Sequence, residues 1–411
     1  MTEIPSLLIE NAGLSILLLA LIPALWLLTA YRARIASVGS AIRRQTDAPF
    51  NPDPKPAPPA VSVIVVAGDD APALEQLLGK LFDQEYPSAE MEVIVVNDGK
   101  NDEIKDVVTR VKHLNHLPNL YITFTPAQLR NVSHRKLAVS LGVKAARYPV
   151  VMLLTEQSRI YSRQWLARMA APFADSAVEV VIGSAMPAVR VDNGWGVRYR
   201  SFTLGADTAE WLSAALRGKP WRAHRANLAF RRDIFFSSGG FNGALNLRGG
   251  DDDIFISRIA RPGNTRCVIA AQAHVRYIHP SARREFSTER PARFYSSRGL
   301  GKAPRRLFAL SSAMNWILLA LCLAATAVAI FSHDWILAGA ALLLLLTVWT
   351  VLALTWRSTL KALRCRPALL AIPLRIQRRT QNKQPPPQRP RPPRQIAGLH
   401  AARIRLQAAA A

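Results

Sequence analysis

The sequence predicts an α/β domain built on a mostly parallel sheet, with one transmembrane helix before it and two after it. Short β-branched runs alternate with helical periodicity through the middle of the chain. Three apolar stretches are long enough to cross a bilayer, which takes roughly 20 residues, and a proline-rich spacer separates the first of them from the alternating region. The chain has 411 residues, 50% of them hydrophobic, and a formal net charge of +25. That length is enough to bury a large core. So basic a balance points to an anionic partner: phospholipid, nucleic acid or a phosphorylated substrate. The cysteines, Cys267, Cys322 and Cys365, are too few and too widely spaced for a disulfide framework or a zinc pattern.

The first apolar stretch runs from about Ala12 to Tyr31. Glu3 and Glu10 stand where a cleaved signal would carry Lys or Arg, so the stretch reads as a retained anchor. The other two run from Leu307 to Phe331 and from Trp335 to Trp356, joined only by Ser332-His333-Asp334, which leaves room for a tight hairpin. Trp316, Trp335 and Trp356 are expected at membrane interfaces. Arg32, Arg34, Arg43 and Arg44 follow the first helix, Lys302, Arg305 and Arg306 precede the second, and Arg357, Lys361, Arg364 and Arg366 follow the third. By the positive-inside rule all three clusters face the cytoplasm, with the N-terminus outside and the middle region and tail inside.

The expected order is an anchor at 1–34, a Pro-rich linker at 35–60, an α/β domain at 61–285, an amphipathic interfacial segment at 286–305, a transmembrane hairpin at 306–357 and a basic tail at 358–411. Asn51 to Pro59 carries four of its prolines at alternating positions and reads as a stiff spacer. Strands are expected at Val61–Val66, Glu92–Val96, Leu120–Phe124, Val150–Leu154 and Val178–Ile182. Helices are expected after Pro72, where Leu74, Leu77, Leu78, Leu81 and Phe82 recur at helical spacing, then at Arg135–Arg147 and Gln164–Phe173. Ligand chemistry belongs at the carboxyl ends of such strands.

Gly249-Gly250-Asp251-Asp252-Asp253 places three consecutive acids in a strongly basic chain. Adjacent carboxylates repel, so at least one is expected to hold its proton more tightly than a free Asp, which suits a general base. The alternative is an acid-rich helix start, since Asp caps well. Ile254, Phe255 and Ile259 would anchor such a helix in a core.

Several segments, in order and at sensible spacing, then carry a resemblance. They are Val61 to Val65, Gln84-Glu85-Tyr86-Pro87, Val93 to Gly99, Arg135-Lys136-Leu137-Ala138, Ala226 to Arg232, Gly239-Gly240-Phe241, the Asp251-Asp252 pair and Arg290-Pro291-Ala292-Arg293-Phe294. Together they resemble the family 2 glycosyltransferases, inverting enzymes of GT-A fold, in their membrane-anchored bacterial type. The resemblance implies Asp252 as the base, with Asp251 the neighbour that raises its pKa. It implies donor binding by Asp98, Asn97, Asp69, Lys136, Glu156, Arg290 and Arg293, and acceptor binding by Asn227 and Phe294. The family's D-x-D metal motif falls on Glu156-Gln157-Ser158, where Ser158 replaces the second Asp, so a divalent metal, Mg²⁺ or Mn²⁺, has one expected carboxylate ligand. Gly68 and Asp69, where many relatives carry Arg-Asn, are a smaller departure.

The reaction this implies moves a sugar from a nucleotide donor, expected to be UDP, to a lipid-linked or surface-polysaccharide acceptor at the bacterial inner membrane. The rival is a degenerate GT-A domain that binds a nucleotide sugar or a synthase partner without turnover. His134, His224, His274 and His279 lie near motif segments but are isolated and are given no role. From Arg357 to Ala411 there is no Asp or Glu, and the Pro/Arg-rich tail cannot build a core. Its expected partner is the anionic phospholipid surface. No base-reading module or stacking platform accompanies the charge, so no specific nucleic acid is expected.

Overall fold

The computed structural model describes residues 12–50, 59–98, 102–126, 132–188, 195–247, 250–278 and 335–365, with isolated helical residues between 320 and 330. The central sheet contains seven strands: β1 (Val61–Ala67), β2 (Met91–Asn97), β3 (Leu120–Phe124), β4 (Val150–Thr155), β6 (Val180–Gly183), β8 (Leu228–Arg231) and β9 (Thr265–Val268). Their order is β3-β2-β1-β4-β8-β6-β9, and β8 alone runs antiparallel to both its neighbours. A second sheet of three short strands, β5 (Ser158–Ile160), β7 (Ala185–Ala188) and β10 (Val275–Ile278), has β10 at its centre. The five expected strands all form, with ends shifted by a residue or two.

Alternate side chains of β1 enter two different cores. Val61, Val63 and Val65 face α2 (Ala71–Phe82), α3 (Glu103–Leu114) and α5 (Trp165–Ala170), while Ile64 and Val66 face α4 (His134–Ala145) and α6 (Trp195–Leu216). Covering both faces with helices is what turns a strand's alternation into an unbroken apolar run. The polar exceptions are paired: Ser62 donates to Glu92 Oε1 at 2.5 Å, and the same carboxylate accepts the Arg147 amide at 2.7 Å. Asp70 caps α2 by accepting from the Ala73 amide at 3.1 Å, as expected from a polar residue just before a helical Pro72.

The first helix corrects the expected boundary at residue 34. α1 runs from Ala12 to Asp47 without a break, so residues 35–47 are helix and not linker. Tyr31, Ile35, Val38, Ala41 and Ile42 fall on one face at helical spacing and are buried, while Arg32, Arg43 and Arg44 occupy the exposed face. That buried face packs on α6 and on the last helix, α9 (Trp335–Ala362). Trp356 sits between Tyr31 and Phe202, each ring centroid 6.2 Å away, and is 1% exposed. It is therefore a core residue and does not mark an interface, whereas Trp335 is exposed. Thr359 Oγ1 donates to Ile35 O at 3.1 Å where Gly39 lets the two helices approach.

The end of α1 clasps the open edge of the sheet. Gln45 donates to Cys267 O at 2.9 Å and accepts from the Ile269 amide at 2.8 Å, and Thr46 Oγ1 accepts from the Ala271 amide at 2.9 Å. The bond to Cys267 O occupies an edge group of β9 that would otherwise be open to another chain, and the other two hold the turn that follows it. Among the described residues one helical stretch, Leu342–Ala362, is long and apolar enough to cross a membrane. The expected span at 307–331 falls almost wholly outside the described residues, as do the interfacial segment at 286–305 and most of the basic tail.

Gly142 brings α4 against the sheet: a Cβ there would lie 2.5 Å from Ile64 Cγ2 and 3.1 Å from Val96 Cγ2. Both neighbours are β-branched and fixed in strands, so neither yields readily. Gly142→Val is expected to destabilise the domain by about 1–3 kcal/mol through overpacking. Thermal and chemical denaturation would check this, and a variant as stable as the parent would remove the close approach.

Candidate active site

β1 lies between β2 and β4, parallel to both, with Ala67 opposite Asn97 and Val66 opposite Thr155. Gly68-Asp69, Asp98 and Glu156 therefore emerge side by side at one carboxyl edge, where open α/β sheets bind ligands. Asp98 is fixed by its amide, which donates to Ala67 O at 2.7 Å. Its Oδ1 lies 3.4 Å from Thr125 Oγ1 and 3.6 Å from His134 Nδ1. Burial pushes the Asp98 carboxyl above its ordinary value, against the opposing pull of His134 and Arg135. Asn97 is buried, and Asp69 is exposed at the rim.

The first turn of α4 links this edge to the acidic loop. Successive helical residues point roughly 100° apart, so His134, Arg135 and Lys136 reach three different partners. His134 faces Asp98; Arg135 Nε donates to Asp251 Oδ2 at 2.8 Å; Lys136 donates to the carbonyls of Ala244 and, at 3.1 Å, Leu247. Lys136 is 1% exposed, so its ammonium holds the backbone leading into the acids and does not reach a donor as expected. Burial lowers its pKa against the pull of Asp251, Asp253 and Asp252.

The three acids divide their roles. Gly250 has φ +97°, and a Cβ there would lie 2.7 Å from Ile254 Cδ1, so this turn requires glycine. Gly249 lies outside the described residues. Asp253 caps α8 (Ile254–Ile259) by accepting from the Ile254 amide at 2.7 Å, which is the helix-start alternative realised at one position of three. Phe255 then anchors the helix among Phe230, Phe235 and Phe241, with centroids 5.3–5.4 Å apart. Asp251 is buried, and burial alone would raise its pKa. Arg135, Arg225 and Lys136 override that and hold it well below the usual carboxylate range. Crowding among the acids therefore does not make Asp251 the one that holds a proton, because cations surround it. Asp252 keeps a more open side chain, 14% exposed, with Arg222 Nη2 3.4 Å from its Oδ2.

Arg222 and Arg225 were not singled out from the sequence, nor was His134. The first two lie in Trp221-Arg222-Ala223-His224-Arg225-Ala226, whose backbone meets the acids where the Ala223 amide donates to Asp252 O at 2.9 Å. The available signal was two arginines inside an otherwise buried stretch. Asn227, expected to bind acceptor, is fully buried. Its Nδ2 donates to Ser184 O at 2.8 Å and Ala273 O at 2.9 Å, and its Oδ1 accepts from Trp165 Nε1 at 3.1 Å. It staples the two sheets together, with both amide hydrogens spent on backbone carbonyls and the side chain enclosed away from any ligand. His224 stacks on Tyr277 with a centroid distance of 4.6 Å, and His274 pairs with Ser184 at 3.0 Å with its pKa pushed down to about 3, chiefly by burial. Arg290, Arg293, Phe294 and His279 lie outside the described residues.

The residues at the D-x-D position do not fit a carboxylate-held divalent cation. Glu156 Oε2 accepts the Gly68 amide at 2.5 Å and Oε1 the Asp69 amide at 3.4 Å, so the carboxylate braces the turn after β1. Burial raises its pKa against these backbone donors. Ser158 is fully buried, its Oγ accepting from the Thr155 amide at 3.1 Å. No cluster of three or more His, Cys, Asp or Glu suited to a metal occurs among the described residues.

Ser158→Asp would bury a carboxylate against Thr155 and would not complete a metal site. It is expected to destabilise the fold by roughly several kcal/mol, against about 1 kcal/mol for Ser158→Ala, with no gain in Mn²⁺ binding by calorimetry. Asp251→Asn leaves Arg135 without its buried counter-charge, at a cost of roughly 3–5 kcal/mol. Because the folded pKa of Asp251 is depressed, that difference from the parent is full above about pH 4, the ordinary Asp value. It is lost as pH falls further toward the folded value, which denaturant titrations from pH 7 to pH 2.5 would follow.

Known proteins resemble this chain to different degrees. A curated relative, glycosyltransferase AglE of Haloferax volcanii, is 26% identical over 193 residues, 47% of this chain and 59% of its own length. A mannosyltransferase of Pyrobaculum calidifontis, solved with GDP-Man and Mn²⁺, is 24% identical with a TM-score of 0.48, covering 83% of this chain and 96% of that one. TarS of S. aureus with UDP-GlcNAc is 17% identical with a TM-score of 0.37, over 54% and 59% of the two chains. Where the motifs resemble family 2, the family model that matches is that of glycosyl transferase family 21, and it does so over residues 18–377. With most of its length inside that match, the chain belongs to glycosyl transferase family 21.

Proposed function

We propose that this glycosyltransferase moves a sugar, with inversion, from a nucleoside-diphosphate donor of the UDP type to a hydroxyl of a lipid-linked or surface-polysaccharide acceptor. The observation that carries the reading is the span of α4: consecutive residues His134 and Arg135 reach Asp98 at the sheet edge and Asp251 in the acidic loop. A donor seated with its base or ribose at Asp98 would then extend its diphosphate toward the acids. Asp252, the more open of the adjacent pair, takes the acceptor proton as the acceptor oxygen bonds to the anomeric carbon. The bond from that carbon to the diphosphate breaks on the opposite face, and the nucleoside diphosphate leaves with the electron pair. Asp251, held by Arg135, positions the loop. A bacterial inner-membrane setting, with the sheet on the cytoplasmic side and the basic tail against anionic phospholipid, is supported by the one described helix long and apolar enough to cross a membrane and by the charge of the chain.

Asp252→Asn keeps the shape of the side chain and its proximity to Arg222 but cannot accept the proton. Turnover is expected to fall by about 10²-fold or more, with UDP affinity within a few-fold of the parent. Radiolabelled transfer assays beside UDP calorimetry would check this. Turnover near the parent's would remove Asp252 from the base role.

A further inference from the structure

The misfit at the D-x-D position leaves the charge of the donor diphosphate without a carboxylate-held cation to balance it. We propose that Arg135, with Arg225 beside it, binds that diphosphate in place of a divalent metal; the inference rests on the donor reading given above. Arg135 stands in the right place. It follows His134, which meets Asp98, and it bonds Asp251, so its guanidinium lies between the two ends of the proposed donor site. Only Nε is committed to Asp251: Nη2 is buried and meets no acceptor among the described residues. A buried guanidinium N–H without a partner is costly unless an anion arrives to accept it.

The surrounding charge points the same way. Arg135, Arg225 and Lys136 all act on the single carboxylate of Asp251, and Arg225 repels Arg135 directly. Lys136 is already turned to the carbonyls of Ala244 and Leu247. Arg135 and Arg225 repel one another, and a diphosphate oxygen between them would relieve that repulsion. Guanidinium forks suit phosphate oxygens, which can accept two parallel N–H bonds. Glu156 cannot compete for the same task, since its oxygens brace the amides of Gly68 and Asp69.

The test is calorimetric binding of UDP, GDP, uridine and guanosine to the full-length, detergent-solubilised protein, in excess EDTA and in Mn²⁺. Whichever diphosphate binds is expected to do so with affinity within about threefold in the two conditions. The double variant Arg135→Gln with Asp251→Asn removes both charges of the pair and leaves no orphan carboxylate behind. It is expected to weaken diphosphate binding by about tenfold or more while leaving the matching nucleoside unchanged, a split that a merely structural role would not produce. Should that variant fail to fold by circular dichroism, Arg225→Gln decides, with the same split expected. A diphosphate that binds only with Mn²⁺ overturns the inference and leaves the donor reading standing. Equal diphosphate affinity in parent and variant overturns it as well. No binding of any of the four in either condition overturns the donor reading and the inference with it.

Discussion

An ion pair 2.8 Å long, Arg135 to Asp251, is the constraint through which the parts of this molecule meet. One partner stands on the first turn of a helix that packs across β1 and β2; the other stands in a loop more than a hundred residues later in the chain. Neither end is free to drift. Gly142 seats the helix on Ile64 and Val96, and Phe255 roots the loop in an aromatic cluster. Lys136 adds a second tie to the same loop through the carbonyls of Ala244 and Leu247. The carboxyl edge of the parallel strands and the acids are thereby held in one frame, which chemistry between two bound molecules requires.

A buried pair of this kind is weak evidence for stability in itself, since taking both charges out of water offsets much of their attraction. Its retention makes more sense as a device of position. An apolar pair would hold helix and loop together as well, but it would offer neither a guanidinium N–H nor a carboxylate at this edge. The same logic explains why Glu156, a buried carboxylate, is tolerated: three backbone donors of the turn after β1 offset part of its desolvation.

Much of the fold was legible because its central strands are covered on both faces. Val61 to Ala67 and Met91 to Asn97 read as unbroken apolar runs for that reason, and their ends fixed where Asp98 would emerge. The short strands β5, β7, β8, β9 and β10 were not legible, since three or four residues are too few to show a period. In the first helix the arginines drew the eye to a membrane flank, although Tyr31, Ile35, Val38 and Ile42 already spelled a buried stripe through them. At the site, motif resemblance located the acids but not their partners. Asn227 and Lys136 stand within recognised motifs, yet they act inside the protein; Arg222, Arg225 and His134 matter through contacts distant in sequence, which no spacing encodes.

The unbroken first helix has a consequence of scale. Its 36 residues make a rod about 54 Å long at 1.5 Å per residue. Its first part precedes the buried stripe that begins at Tyr31; the remainder, from Tyr31 onward, lies against the domain. That remainder ends in the Gln45 and Thr46 clasp on the sheet edge and is braced by the last helix at Thr359. Such a strut, held at two places, keeps its direction relative to the sheet as a bracket does. Whatever the N-terminal part of the rod meets is thereby held at a set distance from the sheet edge.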